Sequence, residues 1–212
     1  MTHWHPRRDE HGARVALWQP HAPTPLDTWA DAKACATVVP DGPMPEAVCA
    51  LPFVPWREAP RDGAGWEHLA AQATFGEPKF VPAPGKKPAS GAVIVEPDGR
   101  VWVVAPSNRH GGYAATFPKG TLDPKAGLSL RANAIKEAHE EAGLAIELTG
   151  FLVDAQRTQT TTRYYLARRV GGCPSTMGWE SQAVHLVPRS QLAALVDHAK
   201  DRPVLAALAA AL

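Results

Sequence analysis

The pattern of hydrophobic and polar positions becomes regular only from about residue 90 onward. Residues 91–96 are almost wholly apolar, as expected of a buried strand, and residues 101–105 repeat that pattern. Between them lies Pro97-Asp98-Gly99-Arg100, and an Asp-Gly pair between two such runs is a strong hairpin signal. Further strands are predicted over residues 146–154, 157–168 and 183–187.

The clearest helix is predicted from Ser129, a candidate N-cap, to about Ala142. Gly143 follows at the position where helices commonly end on a left-handed glycine. Further helices are predicted over residues 189–200 and from Pro203, since proline suits a first helical turn. Strands interleaved with helices in this way predict an α/β or α+β sandwich.

The first 88 residues have a different composition. They hold 14 of the 21 prolines, which disfavour long helices and central strands, and five of the seven tryptophans, which argue against disorder. We therefore predict an irregular N-terminal extension over residues 1–88, packed on a domain formed by residues 89–212. Within the extension, short helices are predicted near residues 26–35 and 65–74, with a connector over 82–88.

Composition narrows the function classes. The formal net charge is +1, which gives no electrostatic footprint for duplex nucleic acid. Three cysteines, Cys35, Cys49 and Cys173, form no C-x-x-C pair, and we expect free thiols in a reducing cytosol. No signal-peptide pattern and no membrane-spanning apolar run is present, so a cytoplasmic protein without a membrane partner is expected.

Three glutamates, Glu137, Glu140 and Glu141, lie three and four residues apart and share one face of the predicted helix. Their mutual repulsion disappears if a divalent cation lies between them, and carboxylate oxygens suit Mg²⁺ or Mn²⁺. For E-x-x-E-E alone, a solvated acidic surface is the commoner explanation. A glycine-rich loop before the helix and a glycine directly after it favour the metal site here.

Residues Gly120 to Leu144 resemble the box of the Nudix hydrolase family, G-x5-E-x7-R-E-U-x-E-E-x-G-U, in which U is a bulky apolar residue. Glu137, Glu140, Glu141 and Gly143, together with Leu144, match its second half. The first spacer is two residues longer, Leu128 replaces the first glutamate of the pattern, and Lys136 replaces its arginine. These departures bear on loop geometry more than on metal binding.

The resemblance implies a mixed-sheet α/β/α sandwich and Mg²⁺-dependent hydrolysis of a diphosphate linkage in a nucleoside diphosphate derivative or related polyphosphate. It implies that Glu137, Glu140 and Glu141 ligate the metal and that the Lys119 carbonyl supplies a further ligand. Glu180 is the best match for an additional ligand or general base, with an ordinary loop carboxylate as the alternative. A homodimer is expected from family behaviour.

Cations for the phosphates are expected from Lys119, Arg109, Arg157 and Arg163. Because alternate residues of a strand share a face, Arg157 and Arg163 are predicted to point the same way, although a solvated strand face explains them equally well. The Pro-Lys-Gly form around Lys119 resembles members that act on dinucleoside polyphosphates or diphosphoinositol polyphosphates.

Other residues leave alternatives open. Trp179, Tyr113 and the N-terminal tryptophans can stack on a base, although core packing or a dimer contact is the commoner use of such residues. The histidines at 3, 5 and 11 resemble a metal-binding cluster, but they are expected on a mobile terminus. Two other functions compete with catalysis: a non-catalytic nucleotide-binding or regulatory module on the same scaffold, and an oligomerisation protein that acts through the tryptophan-rich extension.

Overall fold

The computed structural model describes residues 2–107 and 112–212, and its centre is a seven-stranded mixed sheet. The strands, numbered in chain order, are β1 (Trp4–Arg8), β2 (Arg14–Ala16), β3 (Ala36–Val38), β4 (Ala47–Val48), β5 (Leu51–Pro52), β6 (Lys87–Val95), β7 (Val101–Pro106), β8 (Lys119–Thr121), β9 (Leu144–Gln156), β10 (Thr160–Gly172) and β11 (Ser181–Val187). In the central sheet the order is β3-β11-β7-β6-β10-β9, and β8 also pairs with β6. Strands β6 and β10 run parallel, and the other pairs are antiparallel.

The helices are α1 (Gly63–Ala70), α2 (Leu130–Ala142), α3 (Arg189–Leu195) and α4 (Arg202–Ala211), with 3₁₀ turns at Leu26–Ala30, Pro174–Thr176 and Ala199–Asp201. The termini predicted for α2 are confirmed. The Ser129 hydroxyl accepts a hydrogen bond from the Ala132 amide at 3.1 Å, and Gly143 has a φ of 67°. A side chain at 143 would collide with the Cys173 carbonyl. None of the described helices is long and apolar enough to cross a membrane.

Two apolar cores flank the sheet, because successive side chains of a strand point to opposite faces. On β7, Trp102 and Val104 face the core under α2, whereas Val101 and Val103 face the core under α3 and α4. The hairpin predicted at Asp98-Gly99 joins β6 to β7. The α/β/α sandwich with a mixed sheet is therefore confirmed.

Residues 2–84 are irregular but ordered against this sandwich. Strand β3 adds an edge to the central sheet beside β11, and α1 packs on α2. The prediction of a mobile N-terminus is wrong for β1 and β2, which form a hairpin. His5 in β1 is buried, and its Nε2 lies 3.0 Å from the Ser181 carbonyl. The connector predicted over 82–88 ends at Lys87, where β6 begins.

Candidate functional site

The second half of the glycine loop lies against the carboxylate face of α2. Glu137 is buried directly beneath Gly120, where any side chain at 120 would collide with its carboxyl group. Glu141 is also buried, and its Oε2 accepts a hydrogen bond from the Lys119 amide at 2.7 Å. The loop and the helix are thus joined through two carboxylates, while Glu140, one turn beyond Lys136, stays exposed and pairs with the Lys136 ammonium.

The positions at which the chain departs from the box pattern have other partners. Leu128 joins the apolar core under α2, 3.5 Å from where a Cβ of Gly63 would lie at the start of α1. Support for the loop comes instead from Asn133, whose Nδ2 donates to Ser90 Oγ at 3.0 Å and to the Gly120 carbonyl at 3.2 Å. Sequence reasoning missed Asn133, although a polar residue among the buried positions of a helix is a usable signal.

The electrostatics of the glutamates follow from their burial. Burial, followed by the neighbouring Glu141 carboxylate, raises the pKa of Glu137 well above its ordinary value. Burial also raises the pKa of Glu141 to about 7, against the opposing effect of the Lys119 ammonium. The pKa of Glu180 is raised by burial and by the charges of Glu140 and Glu10. Bringing these carboxylates together in ionised form therefore requires additional positive charge.

The glutamates Glu137, Glu140 and Glu141 suit a hard divalent cation, because they offer several carboxylates on one helix face. Their negative charge is also not balanced by an equal number of side-chain cations. As they stand, however, no three His, Cys, Asp or Glu side chains among residues 2–107 and 112–212 are arranged to hold a metal ion. The Glu140 carboxylate is drawn to Lys136, and Glu141 to the Lys119 amide. The chemistry fits Mg²⁺, and the predicted ligand set stays a prediction.

Two adjoining cavities open on this surface. The first, here called the acid chamber, has a volume of about 550 Å³. Its charged lining consists of four carboxylates and one ammonium, a formal net charge of −3: Glu10, Glu137, Glu140, Glu180 and Lys136. Gly120, Thr121, His139 and Trp179 complete much of its wall, so the three predicted residues Glu137, Glu140 and Glu180 share one cavity.

The second cavity, here called the hydroxyl chamber, has a volume of about 580 Å³ and is lined by hydroxyl and aromatic groups next to two cations. The hydroxyl and aromatic groups are those of Tyr113, Thr158, Thr160, Thr162 and Trp179, and the cations are Lys119 and Arg157. The two chambers share Glu10, Gly120, Thr121, Trp179 and Glu180, so they form one continuous cleft with a common junction. The Lys119 ammonium lies 5.3 Å from the centre of the Tyr113 ring, and burial lowers the pKa of Lys119.

Arg157 lines the hydroxyl chamber and is held by several buried side chains. Its guanidinium pairs with the fully buried Asp201 and donates to the Tyr164 hydroxyl, and it donates to the Tyr113 hydroxyl at 2.8 Å. Thr116 donates to the other Asp201 oxygen at 3.1 Å. The Tyr113 and Asp201 partners come from distant parts of the chain, and no local sequence signal connects them to Arg157.

The prediction that Arg157 and Arg163 point the same way is wrong. Arg157 precedes β10, which begins at Thr160, so the strand alternation does not extend to it. Arg157 bonds to Tyr164 on one face of the sheet, whereas Arg163 pairs with Asp154 and Glu77 on the side of the neighbouring Tyr165. Arg163 does not line either chamber as described, and Arg109 lies outside the described residues.

One cleft residue comes from the extension and was not anticipated. Glu10, at the tip of the β1–β2 hairpin, lines both chambers. In the sequence it is an isolated carboxylate about 110 residues before the glycine loop, so no spacing rule connects it to the site.

A family model described as "NUDIX domain" matches residues 85–208, more than half of the chain. Among solved structures, an ADP-ribose pyrophosphatase from Streptococcus suis is 24% identical, with 59% of this chain and 91% of that chain covered and a TM-score of 0.47. An Ap4A hydrolase from C. elegans is 20% identical (57% and 93% covered, TM-score 0.48). A MutT protein from Methanosarcina mazei is 14% identical (59% and 94% covered, TM-score 0.48). No curated protein matches the chain.

Proposed function

The chain belongs to the NUDIX family and is a Nudix hydrolase, and from that premise we propose that its cleft hydrolyses a diphosphate linkage in a nucleoside diphosphate derivative or related polyphosphate, using Mg²⁺ or Mn²⁺. The observation that carries this proposal is the acid chamber, in which Glu137, Glu140 and Glu180 meet beside the loop glycine Gly120. A diphosphate is itself anionic, so a chamber of this charge can accept it only together with cations.

The metal would be held by Glu137, Glu140 and Glu141, with the Lys119 carbonyl as a further ligand. When bound, it neutralises phosphate oxygens and lowers the pKa of a coordinated water. Gly120 lets the loop backbone lie against the Glu137 carboxyl group, because any side chain at 120 would collide with it. Glu180, which lines the same chamber, would accept the proton of the attacking water at a carboxylate oxygen.

Lys119 and Arg157 would bind and orient the substrate from the hydroxyl chamber. The orientation of the Arg157 guanidinium is fixed by Asp201, which reduces the entropy lost when it contacts the substrate. Lys119 supplies a point charge next to the loop. In-line attack at phosphorus needs mainly such positioning and charge stabilisation.

The test is turnover with Mg²⁺ on a panel of ADP-ribose, NADH, dinucleoside polyphosphates, nucleoside triphosphates and diphosphoinositol polyphosphates. We expect at least one to be hydrolysed. In the Glu140→Gln and Glu141→Gln double variant we expect activity to fall by more than the roughly 10- to 100-fold that loss of a residue supporting a metal ligand costs. Mn²⁺ binding measured by calorimetry should weaken in parallel.

Glu147→Gln is the matched control, because Glu147 is an exposed glutamate of β9 that pairs with Arg168 away from the cleft. It should leave both turnover and Mn²⁺ binding unchanged. Turnover that survives in the double variant would refute the metal-site assignment.

A second candidate function is a non-catalytic nucleotide-binding or regulatory module. The observation that favours it is the engagement of Glu140 by Lys136, which takes one carboxylate away from the others. Failure of every panel compound to turn over, combined with retained nucleotide binding, would favour this alternative.

Three properties outside the site belong to the same proposal. We place the protein in the cytoplasm, in line with its free Cys35, Cys49 and Cys173, and we expect a homodimer. We also expect residues 1–88 to serve as an extension of a hydrolase domain over 89–212. Light scattering tests the dimer, and cell fractionation tests the location.

A further inference from the structure

The junction between the two chambers carries an uncompensated negative charge. Glu10 and Glu180 line both chambers, and the described lining of the hydroxyl chamber holds three carboxylates against the two cations Lys119 and Arg157. Arg157 is already neutralised from behind by Asp201. The hydroxyl chamber is therefore poor in free positive charge and rich in hydroxyl and aromatic groups, which suits an uncharged polar group better than further phosphates.

Glu10 is held at this junction by contacts of its hairpin. The His5 ring bonds to the Ser181 carbonyl at 3.0 Å, and the Trp18 amide donates to the Ser107 carbonyl at 2.9 Å. The Ser107 amide in turn donates to the Glu180 carbonyl at 2.8 Å. The two ends of the hairpin are thus tied to Ser181, which follows Glu180, and to Ser107, which is bonded to the Glu180 carbonyl. These contacts hold the hairpin that carries Glu10 next to Glu180.

The turn that carries Glu10 does not depend on the Glu10 side chain. Asp9 Oδ1 accepts hydrogen bonds from the amides of His11 and Ala13, at 3.0 and 2.7 Å, and Gly12 adopts a φ of 77°. The Glu10 carboxylate lies 3.6 Å from the exposed His11 ring. Removing the charge of Glu10 should therefore leave the hairpin in place.

We infer that Glu10 is a specificity-determining residue that, together with Glu180, selects diphosphate diesters whose group in the hydroxyl chamber is uncharged over substrates with a longer phosphate chain. Each phosphate beyond the diphosphate would meet the junction carboxylates and be repelled. This inference rests on the proposed diphosphatase activity and narrows its substrate class, against the polyphosphate substrate that the Pro-Lys-Gly sequence indicated.

The test compares two substrates with identical ends, a dinucleoside diphosphate and a dinucleoside tetraphosphate of adenosine. The wild-type chain should show the higher kcat/KM for the diphosphate. In Glu10→Gln, the relative kcat/KM of the tetraphosphate should rise about fivefold at low ionic strength, the size expected for one removed like charge near the surface. Glu10→Lys should raise it further, and Glu10→Asp should retain the wild-type ratio.

Two controls separate charge from structure. Glu58→Gln makes the same charge change at an exposed position of the extension outside both chambers, and should leave the ratio unchanged. The effect of Glu10→Gln should also shrink at high salt, since screening weakens exposed charges, whereas a damaged hairpin would not respond to salt.

The outcomes distinguish this inference from the function on which it rests. A wild-type chain that hydrolyses neither compound overturns both. A chain that hydrolyses the diphosphate, with a ratio that Glu10→Gln leaves unchanged, overturns the role of Glu10 alone. A wild-type preference for the tetraphosphate does the same.

Discussion

The sandwich and the N-terminal extension satisfy their backbone polar groups in different ways. In residues 89–212, the carbonyls lie mainly in the sheet ladders and helices. The extension has few regular elements, and its 14 prolines lack an N–H that could donate to a neighbouring carbonyl. Several of its carbonyls accept hydrogen bonds from arginine side chains of the sandwich.

Four arginines do this. Arg100 donates to the Trp29 carbonyl at 2.8 Å, and Arg163 donates to the Pro78 carbonyl at 2.9 Å. Three of the four reach more than one carbonyl of the extension: Arg100 also donates to Asp31, Arg131 donates to Ala73 and Phe75, and Arg169 donates to Val48 and Leu51. A guanidinium has five donors in a fixed plane, so one side chain can satisfy several carbonyls of an irregular segment.

The extension therefore combines its own local hydrogen bonds with contacts from arginines of the sandwich, and it covers the sandwich. This arrangement also explains how a proline-rich segment can hold Glu10 at the cleft. Conversely, the extension stabilises the site, because Trp56 and Trp66 pack against His139 of α2, with ring centroids 5.2 and 6.0 Å away.

The largest loss of stability is expected at Arg169, which links the sandwich to the extension. Replacing it by methionine in Arg169→Met leaves the Glu96 carboxylate buried without its cation and frees the Val48 and Leu51 carbonyls. Breaking a buried ion pair in this way costs about 3–5 kcal/mol. The free energy of unfolding, measured in urea, should fall by that amount.

Arg168→Met is the matched control. Arg168 is the neighbouring residue on the other face of β10, and 59% of its side chain is exposed in a pair with Glu147. Exposed pairs contribute about 0–1 kcal/mol. Equal losses from Arg168→Met and Arg169→Met would mean that the arginines do not hold the extension.

The second largest expected effect is a loss of folding stability at low pH. His185 in β11 lies between the two regions, with Nδ1 2.9 Å from Thr37 Oγ1 and its ring 5.1 Å from that of His21. Burial, followed by the charge of His21, lowers the pKa of His185 to about 3. The folded state therefore binds fewer protons than the unfolded state below the unfolded pKa of about 6.5. The stability is therefore fully present above that pH. It is lost as the pH falls from about 6.5 toward 3, because the unfolded state gains a proton that the folded state does not.

The slope for one such group is about 1.4 kcal/mol per pH unit. Between pH 6.5 and 5.0, the wild-type chain should lose about 2 kcal/mol more than His185→Gln, which has no proton to gain at this position. Urea titrations of both chains at the two pH values measure the difference. Parallel losses in the two chains would exclude His185 as the source of acid sensitivity.

The sequence predictions that were confirmed are those whose signals lie within a few adjacent residues. Ser129 and Gly143 mark the ends of α2, and Asp98-Gly99 marks a hairpin, because a cap or turn is determined by a few adjacent residues. The three glutamates of α2 needed only the helical period to be placed on one face.

Other features depended on contacts between distant residues. Strand β3 is three residues long and pairs with β11 almost 150 positions away, so nothing nearby in the sequence marks it. The error on Arg157 arose from a strand boundary three residues off, which is enough to void an argument from alternation. Only the tertiary fold brings Glu10 to the cleft and Asp201 to Arg157.

The smallest expected effect comes from the helix caps, one in each region. Removing each cap in turn tests whether the two regions unfold together. Asp62 caps α1 in the extension by accepting from the Gly65 amide at 2.8 Å, and Ser129 caps α2 in the sandwich. Losing either cap should cost about 1 kcal/mol. The regions are joined at these caps, because the Ser129 amide donates to Glu67 of α1. A frayed α1 therefore leaves the first turn of α2 without a partner.

We expect Asp62→Ala and Ser129→Ala each to lower the single melting temperature of the chain by about 2–4 °C, as 1 kcal/mol does for a protein of this size. Hydrogen exchange should then show the amides of α2 losing protection in Asp62→Ala, although the substitution lies in the other region. If instead α1 alone exchanged faster while α2 and the melting temperature stayed as in the wild type, the extension would be a separable covering, and its arginine contacts would be local rather than part of the cooperative fold.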